Sequence, residues 1–122
     1  YPFTPLADAV GVGGDVAGLC KVLAHFREHA TQARAIFGGS ARRPVLRVLA
    51  SMIEERLRTR AKRHGIASPT SIRIASLALA DAELAAIGAW LGGEIACEIG
   101  VLADTLHRIA QASAAEIAGT KT

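Results

Sequence analysis

The 122-residue chain has only two cysteines, Cys20 and Cys97, far apart in sequence. A disulfide-stapled secreted scaffold is therefore not expected, and both read as free thiols in a reducing compartment. No basic n-region precedes an apolar stretch at Tyr1-Pro2-Phe3, so no signal peptide is read and a cytoplasmic location is expected. The chain does not begin with methionine, which suggests a fragment or a processed product. Runs of β-branched residues with two-residue alternation are missing, which argues against a sheet. A long apolar run free of charge is missing too. The nearest approach, Ile74 to Trp90, carries Asp81 and Glu83 in its middle, where lipid would penalise them, so no membrane span is expected.

What is present is apolar and helical in pattern. Hydrophobic residues make up 51% of the chain, enough for one folded domain with a real core. Residues 1–14, broken by Pro2, Pro5, Gly11, Gly13 and Gly14, read as a lead-in. Residues 15–118 read as the helical domain and 119–122 as a fraying tail.

Asp15 is a good N-cap for a helix reaching about Ala30, with Val16, Leu19, Cys20, Leu23 and Phe26 on one face. A short helix follows from about Gln32 to Phe37, ended by Gly38-Gly39-Ser40. The next runs from about Arg42 to His64, with Val45, Leu49, Met52, Ile53 and Leu57 as its stripe and Gly65 as its stop. Ser68 and Pro69 then cap a helix ending at Gly92-Gly93. A last helix runs from about Ile99 to Ala118. The expected class is all-α with about five helices.

The fourth helix is the unusual one. Ile72, Ile74, Ala75, Leu77, Ala78, Leu79, Ala82, Leu84, Ile87, Trp90 and Leu91 cover nearly its whole circumference. An ordinary surface helix shows one apolar stripe, so this one must be covered from several sides. In a small domain the extra face is expected to meet a partner chain. Leu84, Ile87, Trp90, Leu91, Leu102, Leu106, Ile109 and Ser113 are the candidates for that interface. Residues 70–92 and 101–117 would pack against their symmetry mates as an intermolecular four-helix bundle in a homodimer.

Charge is unevenly spread. From Arg42 to Arg63 there are eight basic residues against Glu54 and Glu55, and from Ile74 to Glu116 six acidic residues against Arg108. The basic helix reads first as a solvated face with pairs such as Glu54–Arg58. An alternative is a stand-alone interaction module that uses helix 42–63 to hold an acidic protein or a nucleic acid.

No catalytic constellation assembles. His25 and His29 share a helix face, but no third ligand completes a metal site, so no metal or cofactor is expected. Cys97 has no partner histidine, and Gly11-Val12-Gly13-Gly14 lacks the strand and the lysine of a phosphate-binding loop. Asp81 and Glu83 diverge by about 200° around a helix, too far to act as an acid/base pair. One should meet solvent or a basic group while the other faces a cavity or an interface. Leu23, Phe26, Phe37, Leu49, Met52 and Ile53, with Arg56 and Glu83 as orienting polar groups, are the candidates for a pocket for a small, largely apolar guest.

The run Ala80-Asp81-Ala82-Glu83-Leu84-Ala85-Ala86-Ile87-Gly88-Ala89-Trp90-Leu91-Gly92-Gly93 resembles the penultimate helix of TetR-family transcriptional regulators. Leu102-Ala103-Asp104-Thr105-Leu106-His107-Arg108-Ile109 is similar to their last helix. Leu23-Ala24-His25-Phe26-Arg27-Glu28-His29 and Arg34-Ala35-Ile36-Phe37 look like their first core helix and the short helix after it. The resemblance covers roughly residues 15–112. It implies a C-terminal domain that binds an effector in a helical cavity, dimerises through its last two helices and is not an enzyme. The family's three-helix DNA-reading head is not found in this sequence, so DNA binding would belong to the full-length protein alone.

Overall fold

The computed structural model describes Ala7, residues 15–65 and residues 68–119. Most of the lead-in, the Gly11 to Gly14 turn and the last three residues of the tail lie outside the described residues. Among the described residues the fold is all-α, with five helices: α1 Val16–Glu28, α2 Ala30–Gly38, α3 Arg42–His64, α4 Pro69–Leu91 and α5 Ile99–Ala118.

Local chemistry sets most of these boundaries. At α1 the Asp15 carboxylate accepts from the Gly18 amide at 2.6 Å, satisfying one of the first-turn N–H groups that have no partner inside the helix. Replacing Asp15 by alanine is expected to lower the unfolding free energy by about 1 kcal/mol in a denaturant titration. The Ser68 hydroxyl caps α4 by accepting from the Ser71 amide, with Pro69 in the first turn. Gly65 ends α3 at φ 66°, a left-handed conformation that costs glycine nothing and a side-chain-bearing residue some strain. One boundary differs from expectation. α1 stops at Glu28, and His29 joins it to α2, which begins at Ala30 rather than Gln32.

α4 is the central helix, in contact with all four others, and its most extensive packing is against α3. This covers one broad face of α4 without a partner chain and leaves Ile74, Leu77, Ala78 and Ala82 exposed. Ile72, Ser76, Leu79, Ala80, Glu83, Leu84, Ile87, Trp90 and Leu91 are buried along it. Leu84 and Ile87 are fully covered, each contributing roughly 1.5–3 kcal/mol of hydrophobic stabilisation. α1 lies mainly on α5 and brings Leu19, Val22, Leu23 and Phe26 into the same core, where Phe26 meets Phe37 of α2 edge-on at 5.0 Å. α2 packs on α4 at Gly88, where an added Cβ would meet the Phe37 Cβ at 3.4 Å, an ordinary van der Waals contact.

By length and composition alone α4 could cross a membrane, contrary to the sequence expectation that no run reaches that threshold. Within the bundle 44% of that apolar stretch is buried.

Candidate functional site

Two carboxylates two residues apart on α4 have opposite surroundings, as the helical geometry requires. Asp81 is exposed and forms an ion pair with Arg42 at the start of α3, with Oδ1 at 2.6 Å from Nη2. Glu83 is 3% exposed, and neither of its oxygens has a hydrogen-bond partner. Burial pushes its carboxyl up from 4.5 to about 8. Around it on the same face of α4 stand Ser76, Leu79, Ala80 and Ile87, all buried. Ser76 and Arg60, the other buried polar residues among those described, are satisfied. Ser76 donates to the Ile72 carbonyl at 2.7 Å, and Arg60 donates through Nε to the Gly119 carbonyl at 2.8 Å and through Nη1 to Gln111 at 3.4 Å.

Two of the surface grooves that border α4 lie along its middle and its later turns. The first, about 520 Å³, runs between α2, the start of α3 and α4, over Phe37, Leu84, Ala85, Gly88 and Ala89. Arg34, Arg42 and Glu94 edge it. Arg34 also donates to the Leu91 carbonyl at 3.0 Å, capping the end of α4. The second, about 510 Å³, follows the seam between α4 and α5, with Ala75, Ala78, Leu79 and Ala82 on one side and Ala112, Ser113, Glu116 and Ile117 on the other.

The eight pocket candidates do not gather around one cavity. Leu23, Phe26, Leu49 and Ile53 are buried parts of the core, and Met52 is half-buried against it. Phe37 borders the first groove, while Arg56 borders a different surface hollow beside Glu55 and Arg63 and donates to the Met52 carbonyl. Among the described residues the buried side-chain polar atoms without a partner are the two Glu83 oxygens and Nδ1 of half-buried His107. Composition could not separate cavity wall from core here, because the same aliphatic and aromatic residues make both.

The interface candidates are corrected more sharply. Leu84, Ile87, Trp90, Leu91, Leu102 and Leu106 are buried within their own chain and are not available to another. Ile109 is exposed and Ser113 half-buried. Of these candidates Ile109, 52% exposed, does carry outward apolar surface, and the other large exposed apolar side chains of the two helices are Ile74 at 64% and Leu77 on α4 and Val101 at 56% on α5. Their signal lay in the all-round apolar character of α4, which identifies excess apolar surface without giving its direction.

Cys20 and Cys97 are free and half-buried. His25 and His29 are exposed with ring centroids 4.6 Å apart, and among the described residues no group of three or more His, Cys, Asp or Glu side chains converges. No known family model, curated protein or solved structure matches this chain.

Proposed function

We propose that this chain is the effector-sensing and dimerisation domain of a TetR-like transcriptional regulator, working in the cytoplasm without enzymatic activity or a cofactor. The observation that carries the reading is that each of the last two helices exposes large apolar side chains, Ile74 and Leu77 on α4 and Val101 and Ile109 on α5. Large apolar side chains exposed on adjoining helices are the mark of an association surface. A second copy related by a two-fold axis would complete a four-helix bundle there, and a standard interface needs about 800 Å² from each partner. The helix order and the Trp90-Leu91-Gly92-Gly93 ending of α4 support the family resemblance.

The mechanism in this reading is a population shift: a small, largely apolar effector that prefers one arrangement of the bundle moves the dimer toward it. DNA would be touched only by an N-terminal head of the full regulator, whose two copies are spaced by this dimer.

Sedimentation equilibrium tests the reading. The protein is expected to be dimeric at micromolar concentration. The double variant Val101→Glu, Ile109→Glu is expected to raise the dimer dissociation constant at least tenfold with an unchanged helical spectrum, since each tenfold step needs only about 1.4 kcal/mol. A chain that is monomeric throughout the micromolar range overturns it.

The exposure of Arg43, Arg47, Arg58, Lys62 and Arg63 along α3 favours a second reading, the interaction module with an acidic partner. Arg58 is already paired with Glu54 one turn away, which lowers the free positive charge of that face. Binding to generic DNA that weakens steeply with salt would select this second reading over the first.

A further inference from the structure

We propose that His25 and His29 form a reversible site for a divalent late transition-metal ion, of the copper(II) and nickel(II) class, which clamps the joint between α1 and α2. The inference is independent of the effector-sensing reading and needs neither a dimer nor a cavity.

Three observations carry it. The first is the spacing of the two rings. His25 lies in the last turn of α1 and His29 is its C-cap, and their ring centroids are 4.6 Å apart with the planes inclined at 53°. Residues four apart on a helix are neighbours on its surface, which is how two histidines reach a common ion in helical metal sites. With a metal–nitrogen bond of about 2.1 Å, each ring centre stands about 3.2 Å from the ion, and two imidazoles at right angles are then about 4.5 Å apart. At the tetrahedral angle the same rings would be about 5.2 Å apart. The observed separation matches the right angle, the geometry of copper(II) and nickel(II) with nitrogen and oxygen ligands.

Second, the nitrogens are available. Both residues are exposed, and among the described residues neither imidazole makes a hydrogen bond or an ion pair. A neutral imidazole keeps one nitrogen whose lone pair can go to a metal. A closed structural site would need further protein ligands, and none converge on the pair among the described residues. A reversible surface site needs only the two rings, with water in the other positions. The ion takes no part in a reaction.

Third, the pair straddles a backbone joint. α1 ends at Glu28 and α2 begins at Ala30, so His29 caps the end of one helix and the start of the other. Its φ of −116° and ψ of 43° are not helical, and its side chain makes no capping hydrogen bond to α2. The joint is held by the His29 amide donating to the His25 carbonyl at 3.1 Å and the Ala33 amide donating to the His29 carbonyl at 2.9 Å. An ion bound by both rings cross-links residues 25 and 29 across that turn, and so stabilises only the state in which the turn is formed.

Nickel(II) chloride is the probe, because copper ions also bind thiols such as those of Cys20 and Cys97. Titrated by calorimetry near neutral pH into the full chain, it is expected to bind as one ion per molecule. His25→Gln and His29→Gln are each expected to weaken binding at least tenfold, because the second imidazole binds at high effective concentration once the first is engaged. His64→Gln, at the end of α3, is expected to leave it unchanged. Both rings of the pair are exposed, and helical spectra check that their variants are folded. Hydrogen exchange gives a second readout. At nickel about ten times its dissociation constant, exchange of the His29 and Ala33 amides is expected to slow about tenfold, with no slowing in His25→Gln. Absence of binding at millimolar nickel overturns the proposal, as does undiminished binding to either variant of the pair. Binding that needs both histidines but leaves those two amides exchanging at their original rates overturns the clamping of the joint.

Discussion

The unfolding free energy of the Glu83→Gln variant, measured relative to the unmodified chain, is expected to rise by on the order of 5 kcal/mol between about pH 4 and about pH 9. Burial holds the Glu83 carboxyl at about 8 in the folded chain against 4.5 for an ordinary glutamate. Below 4.5 folded and unfolded forms both carry the proton, so the residue adds no pH dependence. As pH rises past 4.5 the unfolded chain gives up its proton first, and the native state loses stability relative to it. The loss is complete once pH passes 8, because then the folded carboxylate is charged as well. Each unit between the two values corresponds to 1.36 kcal/mol, which gives the stated total and about 3 kcal/mol of it already at pH 7. Glutamine cannot titrate, so its curve lacks this decline, and its own unpaired amide adds only a constant offset. Urea unfolding at a series of pH values reads the difference directly. Parallel curves for the two proteins would mean that the carboxyl is hydrated or paired in solution.

The same residue shows how far the sequence carries the argument. That Asp81 and Glu83 must face different surroundings follows from the angle between successive helical residues and needs no tertiary structure. Which of them would be buried does not follow, because both have only apolar immediate neighbours, Ala80 and Ala82 for Asp81 and Ala82 and Leu84 for Glu83. The choice is made by α3, whose Arg42 reaches Asp81 across 39 residues of chain. Helix ends were legible for the same local reason. Asp15, Ser68 with Pro69, and Gly65 act within one turn of their own backbone, and all three cap as their residue types dictate.

The direction of α4's faces was not legible. A helix with a single apolar stripe announces its phase, whereas one apolar all round gives the same reading at every angle. The phase of α4 is set by packing against four other helices, which turns Leu84, Ile87, Trp90 and Leu91 inward and leaves Ile74 and Leu77 outside. α5 had a clearer stripe in Leu102, Leu106 and Ile109, but a stripe marks the side that is covered without saying by which chain. The first two turn out to lie on the domain's own core. The pocket residues failed for a related reason: Leu23, Leu49 and Ile53 are as apolar as a binding wall must be, and the bundle fills the space they enclose with one another.

Trp90 separates the two faces of α4 experimentally. Its indole is buried beside the α4–α5 connection, where Nε1 donates to the Cys97 carbonyl at 3.2 Å and the Arg27 guanidinium lies 5.9 Å from the ring centroid. Through these contacts one side chain ties the end of α4 to α1 and to the segment leading into α5. Trp90→Ala is expected to destabilise the fold by about 3–5 kcal/mol, the usual range for removing a buried aromatic. Trp90→Phe keeps the ring volume in part and leaves the Cys97 carbonyl without its donor, with an expected cost of about 1–3 kcal/mol. Because the indole faces its own chain, neither change is expected to shift the dimer dissociation constant of the molecules that remain folded, in contrast to substitutions at Val101 and Ile109. Denaturant unfolding and sedimentation equilibrium on the same samples distinguish the two effects. A Trp90→Ala protein that kept its unfolding midpoint yet fell apart into monomers would place the indole at the subunit contact and turn α4 by about a quarter of a turn, since exposed Ala82 stands roughly 80° from Trp90 around the helix.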